Sequence, residues 1–193
     1  MPTKHARCSA SAAYRWINCP GSVALSDQCP DPGSSSYADE GTVAHSLAEL
    51  KLRHVLHEIT DAQYKKRLAK IQQDDYYNGE MDEATDFYVE TVLEEFAAAG
   101  EGAVTSIDHW IAFVLLCFIG GSMIQVIDLK YGKGIKVEAK NNPQFRLYGL
   151  GAVSLFGDLY DFDTVKTTVV QPRLDHVDSE VVILKELLLW GEE

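Results

Sequence analysis

The chain has 193 residues, of which 46% are hydrophobic and 24% charged, and its formal net charge is −12. This composition is that of a folded globular protein of about one domain, and it excludes a wholly disordered chain. The acidic balance excludes a protein that coats nucleic acid non-specifically. An enzyme acting on DNA is still compatible with it if basic residues are gathered at one place.

The first 40 residues carry the signals of turns rather than of regular elements. Proline, glycine and serine are concentrated in Cys19-Pro20-Gly21-Ser22 and from Pro30 to Ser36, and such clusters are typical of loops. We therefore predict an irregular N-terminal arm over residues 1–40. Met1 to Ala13 lacks the apolar segment of a secretory signal, and the four cysteines form no C-x-x-C pair. Both features favour a cytoplasmic protein with free thiols.

Residues 41–100 predict a helical region. An apolar repeat indicates a helix from Gly41 or Thr42 to about Glu58, and a charged stretch indicates another from Asp61 to about Gln72. A third helix is predicted from Glu80 to Ala99, with an acidic first turn and Gly100 as its stop.

Residues 101–193 predict the sheet-containing core. Strands are predicted from Ile111 to Ile119, from Met123 to Lys130 and from Val165 to Val170, and helices from Gln144 to Phe156 and from Glu180 to Trp190. The turn at residues 120–122 makes the first two strands an antiparallel hairpin, and Asn142-Pro143 supplies a helix cap. The order of elements predicts an α/β or α+β fold, with a central mixed sheet flanked by helices and a helical N-terminal part.

One segment is apolar enough to need a membrane test. Trp110 to Ile119 is a run of ten apolar residues, which is too short to span roughly 30 Å of hydrocarbon as a helix. We interpret it as a buried strand and expect no membrane partner.

The chemistry-bearing residues centre on Val126-Ile127-Asp128-Leu129-Lys130. Strand alternation places Asp128 and Lys130 on one face and Ile127 and Leu129 on the other. The carboxylate can ligate a hard divalent cation, and the ammonium can orient a water or offset charge on a phosphate. Taken alone, a D-x-K triplet is more often a surface ion pair.

Two helices carry further candidates. Gln144 and Tyr148 stand four residues apart and so share a helix face, where they could hold a DNA backbone or a metal-bound water, or be ordinary surface polarity. His45 lies early in a predicted helix with Glu49 on the same face, although a helical histidine is more often structural than a ligand. The stretch from Lys130 to Arg146 is a local basic strip, with Lys130, Lys133, Lys136, Lys140 and Arg146 against Glu138 alone.

The ordered set of G-x-x-x-H on a helix, D-x-K on a strand and Q-x-x-x-Y on a helix resembles the RecB-like branch of the PD-(D/E)XK nuclease superfamily. The chain is more closely similar to a group of phage and prophage proteins, the family of domain of unknown function 2800. The stretches that carry this resemblance are Ser11 to Ser22, Glu40 to Glu49, Val126 to Gly134, Asn142 to Gly151 and Val169 to Arg173.

The resemblance implies a restriction-endonuclease-like core and exonuclease-like hydrolysis of DNA phosphodiesters with Mg²⁺ or Mn²⁺, in phage replication or recombination. By that resemblance His45, Asp128 and the Leu129 carbonyl would bind the metal, and Lys130 would position the attacking water. Further residues would support the site and contact DNA: Gln144 and Tyr148 in the first role, and Lys133, Lys136 and Arg146 in the second. DNA and a phage recombination or replication protein are the expected partners.

The chain departs from this pattern on the strand before Asp128. Relatives carry an aspartate of a G-x-x-D motif that should fall near Leu115 or Leu116, but Ala112 to Cys117 holds neither a glycine nor a carboxylate. The nearest upstream acid is Asp108, which we expect at the wrong end of its strand. A cation held with a single carboxylate has little negative charge to replace its hydration. The alternative function is therefore an inactive nuclease-like module that binds DNA or a protein partner; the run over residues 110–119 also fits a local error of sequence or reading frame.

A second departure concerns cysteine. Several RecB-like nucleases hold an iron–sulfur cluster with one early cysteine and a late trio, and Cys19 matches the early position. No cysteine follows Cys117, so a cluster is not expected, and Cys19 is predicted to be a small buried hydrophobe. Residues 1–193 are accordingly predicted to form a single, incomplete nuclease-like domain.

Overall fold

The computed structural model describes residues 7–29, 33–108, 115–120 and 122–192, with the backbone alone at Ser106, Asp108 and 115–120. Helices are α1 (Ala13–Asn18), α2 (Gly21–Ser26), α3 (Ser36–Val55), α4 (Asp61–Ile71), α5 (Gly79–Ala99), α6 (Pro143–Phe156) and α7 (Leu184–Glu192). Strands are β1 (Val104–Asp108), β2 (Leu115–Gly120), β3 (Met123–Leu129), β4 (Thr164–Gln171) and β5 (His176–Ile183). Short 3₁₀ turns occupy Ala10–Ala12 and Pro172–Leu174.

The described strands form one mixed sheet in the order β1-β2-β3-β4-β5. β3 and β4 are parallel and the other neighbours are antiparallel. Parallel neighbours need a crossover connection, and α6 lies in the connection between β3 and β4. The predicted mixed sheet with flanking helices and a helical N-terminal part is confirmed.

Helices cover both faces of the sheet around β3. Ile124 and Val126 pack with Phe145 and Tyr148 of α6, and Leu187 of α7 belongs to the same cluster. The alternate residues of β3 pack on the opposite face, where Ile127 and Leu129 meet α3 and α5 through Ala48, Leu52, Tyr88, Val89 and Val92. A strand buried on both faces reads as a near-continuous apolar run, and within β3 only Gln125 and Asp128 depart from it. Gln125 donates to the Thr168 hydroxyl at 3.2 Å, so Asp128 is the one charged residue of the strand.

Local signals fix the ends of several predicted elements. Asn142 caps α6 by accepting a hydrogen bond from the Gln144 N–H at 3.0 Å, with Pro143 in the first turn. Gly100 ends α5 with φ of 84°, a left-handed value that favours glycine. The predicted helices at these places and the predicted strands from Met123 and from Val165 are confirmed.

The N-terminal prediction is wrong in two respects. Residues 1–40, expected to be irregular, contain α1 and α2, and α3 begins at Ser36 rather than at Gly41 or Thr42. The reason is a cap that the sequence reading missed: the Ser35 hydroxyl accepts a hydrogen bond from the Ala38 N–H at 3.2 Å.

The C-terminal prediction is also wrong at its start. Residues 180–183 were expected to open a helix, but they belong to β5, and α7 begins at Leu184. Alternate side chains of β5 are exposed, among them Val177, Val181 and Ile183, which is the period-2 pattern of an edge strand. β1 was not predicted. The first residues of the strand expected from Ile111, and Gly121 of the expected turn, lie outside the described residues.

None of the helices in the described part of the chain combines the length and the apolar character needed to cross a membrane.

Candidate functional site

Asp128 lies near the carboxyl end of β3, with its side chain only 1% exposed. Neither of its carboxylate oxygens accepts a hydrogen bond from any residue that the structure describes. The Lys130 Nζ lies 2.9 Å from Oδ2, which makes an ion pair without hydrogen-bond alignment. A buried carboxylate normally has hydrogen-bonding partners. One that has none is a candidate cation ligand.

The predicted sharing of one face by Asp128 and Lys130 is therefore seen in the structure. This face of the sheet is not exposed to solvent, because α6 covers it. Phe145 is 1% exposed and lies under the Lys130 ammonium, whose Nζ is 5.8 Å from the ring centroid. The ion pair is thus enclosed rather than a solvated surface pair.

Gln144 and Tyr148 bring a hydrogen-bonded pair to the same face. The Gln144 amide donates to the Tyr148 hydroxyl at 2.8 Å, and Tyr148 is 4% exposed. Burial raises the pKa of the Tyr148 phenol, and the negative charge of Asp128 raises it further. The phenol therefore keeps its proton at neutral pH and lies within the electrostatic influence of the carboxylate.

His45 on α3 interacts electrostatically with Asp128 and Lys130. Its side chain is half-buried, with Nδ1 buried. Burial lowers the pKa of His45 from 6.5 to about 4, with Asp128 raising it and Lys130 lowering it by smaller amounts. The imidazole is therefore neutral at pH 7, which is the form that ligates a metal. Leu129 is the last residue of β3 and is fully buried, so its carbonyl belongs to the same strand end.

A second layer of charged residues surrounds this strand end. Arg173 follows β4 and pairs with Glu40 at the start of α3 (3.3 Å) and with Glu80 at the start of α5 (3.0 Å). Its guanidinium also stacks 4.5 Å from the ring centroid of Tyr131, which is 2% exposed. Arg173 thus connects β4, two helix starts and the loop after β3.

The structure places the three predicted DNA-contacting residues in different settings. Lys133 pairs with Glu80 at 2.6 Å but its side chain remains 55% exposed. Arg146 is largely buried, lies 3.3 Å from Glu180 and donates to Asn141. Lys136 is exposed. Of these three residues, Arg146 is the one whose charge is paired within the fold and largely shielded from solvent.

The register of β2 shows which residue lies beside Asp128 on the neighbouring strand, where the resemblance led us to expect an aspartate. Leu116 pairs with Ile127, so one further step along these antiparallel strands brings Leu115 beside Asp128. Asp108 pairs with Leu115 in the next strand. Asp108 is therefore at the same end of the sheet as Asp128, not at the wrong end as predicted. Its backbone lies two strand spacings from that of Asp128, roughly 10 Å, and so it does not occupy the position next to Asp128.

Cys19 is exposed, so the prediction of a buried hydrophobe is wrong. Its backbone N–H ends α1 by donating to the Arg15 carbonyl at 2.9 Å. The thiol lies outside the clusters that bury the sheet.

Sequence reasoning missed Tyr88 and the pairing partners of Arg173. The Tyr88 hydroxyl donates to the Ile127 carbonyl at 3.1 Å, and burial together with the Asp128 charge raises its pKa. The one sequence signal for the partners of Arg173 was that Glu40 and Arg173 both lie in stretches that resemble the related proteins. Nothing in local spacing links residues that are 133 positions apart.

Comparison with known proteins places the chain in a family. Residues 5–193 match the model of the family described as protein of unknown function, DUF2800. The chain belongs to this family. No solved structure matches this DUF2800 protein.

Proposed function

We propose that this DUF2800 protein is a metal-dependent DNA nuclease that hydrolyses phosphodiester bonds at the carboxyl end of β3. The observation that carries the proposal is Asp128, a fully enclosed carboxylate with Lys130 beside it and without a hydrogen-bond donor among the described residues. The D-x-K order on a strand next to an antiparallel strand also resembles the RecB-like PD-(D/E)XK nucleases. Membership of the RecB-like nucleases is therefore proposed together with the activity.

The donor set fits Mg²⁺ or Mn²⁺ with a preference for manganese. Asp128 and the Leu129 carbonyl offer the oxygens that hard cations take, and the neutral His45 adds a nitrogen that Mn²⁺ accepts more readily than Mg²⁺. A bound cation would polarise the phosphate and lower the pKa of a bound water. One carboxylate supplies less negative charge than the usual acidic pair, so we expect weak metal affinity.

The chain's own residues supply positioning. Lys130, held 2.9 Å from Asp128, is placed to orient a water or to offset the charge that grows on the phosphate. Tyr148 keeps its proton because its pKa is raised, and can donate a hydrogen bond once Gln144 has oriented it. Lys133 and Lys136 follow the site in the chain and are exposed, so we propose that they contact the DNA backbone.

A second candidate function is supported by the register of β2. The position beside Asp128 is Leu115, where a nuclease of this type is expected to carry its other acidic ligand. This substitution favours an inactive nuclease-like module that binds DNA or a protein partner. The two candidates predict different dependence on Asp128.

The test is degradation of end-labelled single- and double-stranded DNA by the full chain with Mn²⁺. The matched variants are Asp128→Asn, which keeps the shape of the side chain, and Asp158→Asn, an exposed aspartate outside the site. We expect cleavage that is lost on adding EDTA and in Asp128→Asn, and unchanged in Asp158→Asn. Absence of cleavage from folded protein refutes the nuclease; DNA binding that is the same with EDTA and in Asp128→Asn then supports the binding module.

A further inference from the structure

Three potential metal ligands also meet outside the Asp128 site. Glu138 lies in the loop between β3 and α6, and His176 and Asp178 lie at the start of β5. One ligand atom from each of these residues falls within 4.8 Å of the other two. His176 is 7% exposed, Asp178 is half-buried and Glu138 is exposed, so the cluster joins a buried imidazole to the solvent.

Backbone hydrogen bonds on both sides of Glu138 hold this cluster together. The His176 Nε2 lies 2.9 Å from the Val137 carbonyl oxygen. The Ala139 N–H donates to Asp178 Oδ2 at 2.7 Å. The backbone of Glu138 is thus fixed between His176 and Asp178 of β5. A ligand would therefore lose little free energy in ordering these three residues.

The hydrogen bond to Val137 also selects the tautomer of His176. A carbonyl oxygen can only accept, so Nε2 carries the proton, and in the neutral ring Nδ1 keeps its lone pair. Donation from one ring nitrogen to a backbone carbonyl is the usual arrangement of a metal-ligating histidine. The two carboxylates beside the imidazole supply negative charge that a cation would neutralise.

We propose that Glu138, His176 and Asp178 bind a divalent cation of the zinc class, separate from the Asp128 site. One imidazole nitrogen with two carboxylate oxygens is a ligand set that Zn²⁺ accepts, and three protein ligands leave a fourth position for water. The cation would clamp residues 137–139 to β5. These residues belong to the loop that connects the Asp128 strand to the Asn142 cap of α6. A bound cation would therefore reduce the motion of the loop that joins the two elements of the Asp128 site.

A purely structural role would need no cation. Neighbouring side chains already serve the same loop as simple acceptors: Gln171 accepts from the Val137 N–H at 2.6 Å and Glu180 from the Asn141 N–H at 3.1 Å. Asp178, which accepts from the Ala139 N–H, is a further acceptor of this kind. The inclusion of a buried histidine and of Glu138, which accepts neither of these backbone bonds, is what favours a ligand.

The experiment is calorimetric titration of Zn²⁺ into EDTA-stripped full-length protein, with Co²⁺ as a spectroscopic probe. The starting protein carries Asp128→Asn to remove the first site, together with Cys8→Ser, Cys19→Ser and Cys29→Ser, because exposed thiolates also bind zinc. In this background we test Glu138→Gln, His176→Gln and, as a control for surface histidines, His57→Asn. His57 is exposed with φ of 58°, a value that asparagine tolerates.

We expect saturable binding near one Zn²⁺ per chain, and a visible Co²⁺ spectrum, in the background protein. Glu138→Gln and His176→Gln should each weaken binding about tenfold or more, and His57→Asn should leave it unchanged. Absence of saturable binding overturns the proposal. So does binding that Glu138→Gln does not weaken, since this exposed residue can change without unfolding the protein. The outcome is independent of DNA cleavage, so failure here and failure of the nuclease proposal are distinguishable.

Discussion

Replacing Asp128 with asparagine should stabilise the metal-free protein while removing the cation site that we propose. The carboxylate is 1% exposed and accepts no hydrogen bond from the described residues, and its one close cation is the Lys130 ammonium at 2.9 Å. Taking a carboxylate out of water costs several kcal/mol, which one ion pair only partly offsets. Asparagine has the same shape and no charge. We therefore expect the free energy of unfolding in EDTA to rise by about 1–3 kcal/mol.

Manganese should reverse or cancel this difference. A cation that binds only the folded state stabilises it by about 2.7 kcal/mol at one hundred times its dissociation constant. The wild-type protein should gain this stability at the Asp128 site and the asparagine variant should not. The comparison between the two proteins matters, because it cancels the effect of cations bound elsewhere.

The assay is urea unfolding followed by tryptophan fluorescence, in EDTA and then with Mn²⁺. Lys130→Met is the opposite perturbation, since it leaves the Asp128 charge enclosed without its cation; it should lower the free energy of unfolding in EDTA by roughly 1–3 kcal/mol, discounted because Lys130 is 24% exposed. A net cost of burying the Asp128 charge is refuted if Asp128→Asn is less stable than wild type in EDTA. Cation binding at Asp128 is refuted if Mn²⁺ stabilises both proteins equally.

Three further changes test the site and its support. The folded-state pKa of His45 is about 4, below the unfolded value of 6.5, so its contribution to stability is present above pH 6.5 and is lost as pH falls toward 4. The free energy of unfolding in EDTA should fall by about 3 kcal/mol over this window, and His45→Gln should remove this dependence on pH; an unchanged pH profile of the wild-type protein would contradict the lowered pKa of His45. Gly149→Ala should lower the melting temperature by destabilising the fold by about 1–2 kcal/mol, because the added Cβ would lie 2.9 Å from Val165 Cγ1; a calorimetric scan showing no loss would indicate that the strand gives way. Tyr148→Phe should lower the free energy of unfolding by about 1 kcal/mol or less. It should nevertheless reduce the rate of Mn²⁺-dependent cleavage about tenfold or more. Equal cleavage rates in the variant and the wild type would show that the phenol has no role in cleavage.

The elements that position the site were predictable because their signals are local. Alternation along β3 puts Asp128 and Lys130 on one face, and Asn142-Pro143 marks the start of α6 by a side-chain cap. The four-residue spacing of Gln144 and Tyr148 led directly to a hydrogen bond between them. In each case the structure depends on residues less than two turns apart.

The enclosure of the site could not be predicted in the same way. Whether Asp128 faces solvent depends on α6 folding back over β3, and the sequence alternation is the same in either case. The charge of Arg173 is compensated by Glu40, which is 133 positions away. The edge strand β5 was missed for a different reason: its exposed valines and the apolar residues of α7 follow one another without a break in composition, and the change from period 2 to helical spacing occurs inside that run.

The register of β2 allows a second carboxylate to be introduced beside Asp128, with a matched control one residue away. Position 115 lies beside Asp128, whereas position 116 is paired with Ile127. Leu115→Asp should therefore place a second carboxylate next to the first, where a cation can be shared by both. We expect tighter Mn²⁺ binding and faster cleavage of DNA than in the wild-type chain, since added ligand charge raises the affinity of an oxygen site.

Leu116→Asp is the control, because it adds the same charge one residue away on the opposite face. Ile127, its register partner, is fully buried and packs against Ala48, Leu52 and Tyr88. An aspartate introduced beside that cluster should cost several kcal/mol of stability without improving Mn²⁺ binding. Isothermal titration and the end-labelled DNA assay measure both effects. If Leu115→Asp gains neither affinity nor rate while the protein remains folded, the strand pair β2–β3 does not form a two-carboxylate cation site, and the binding-module function is favoured over the nuclease.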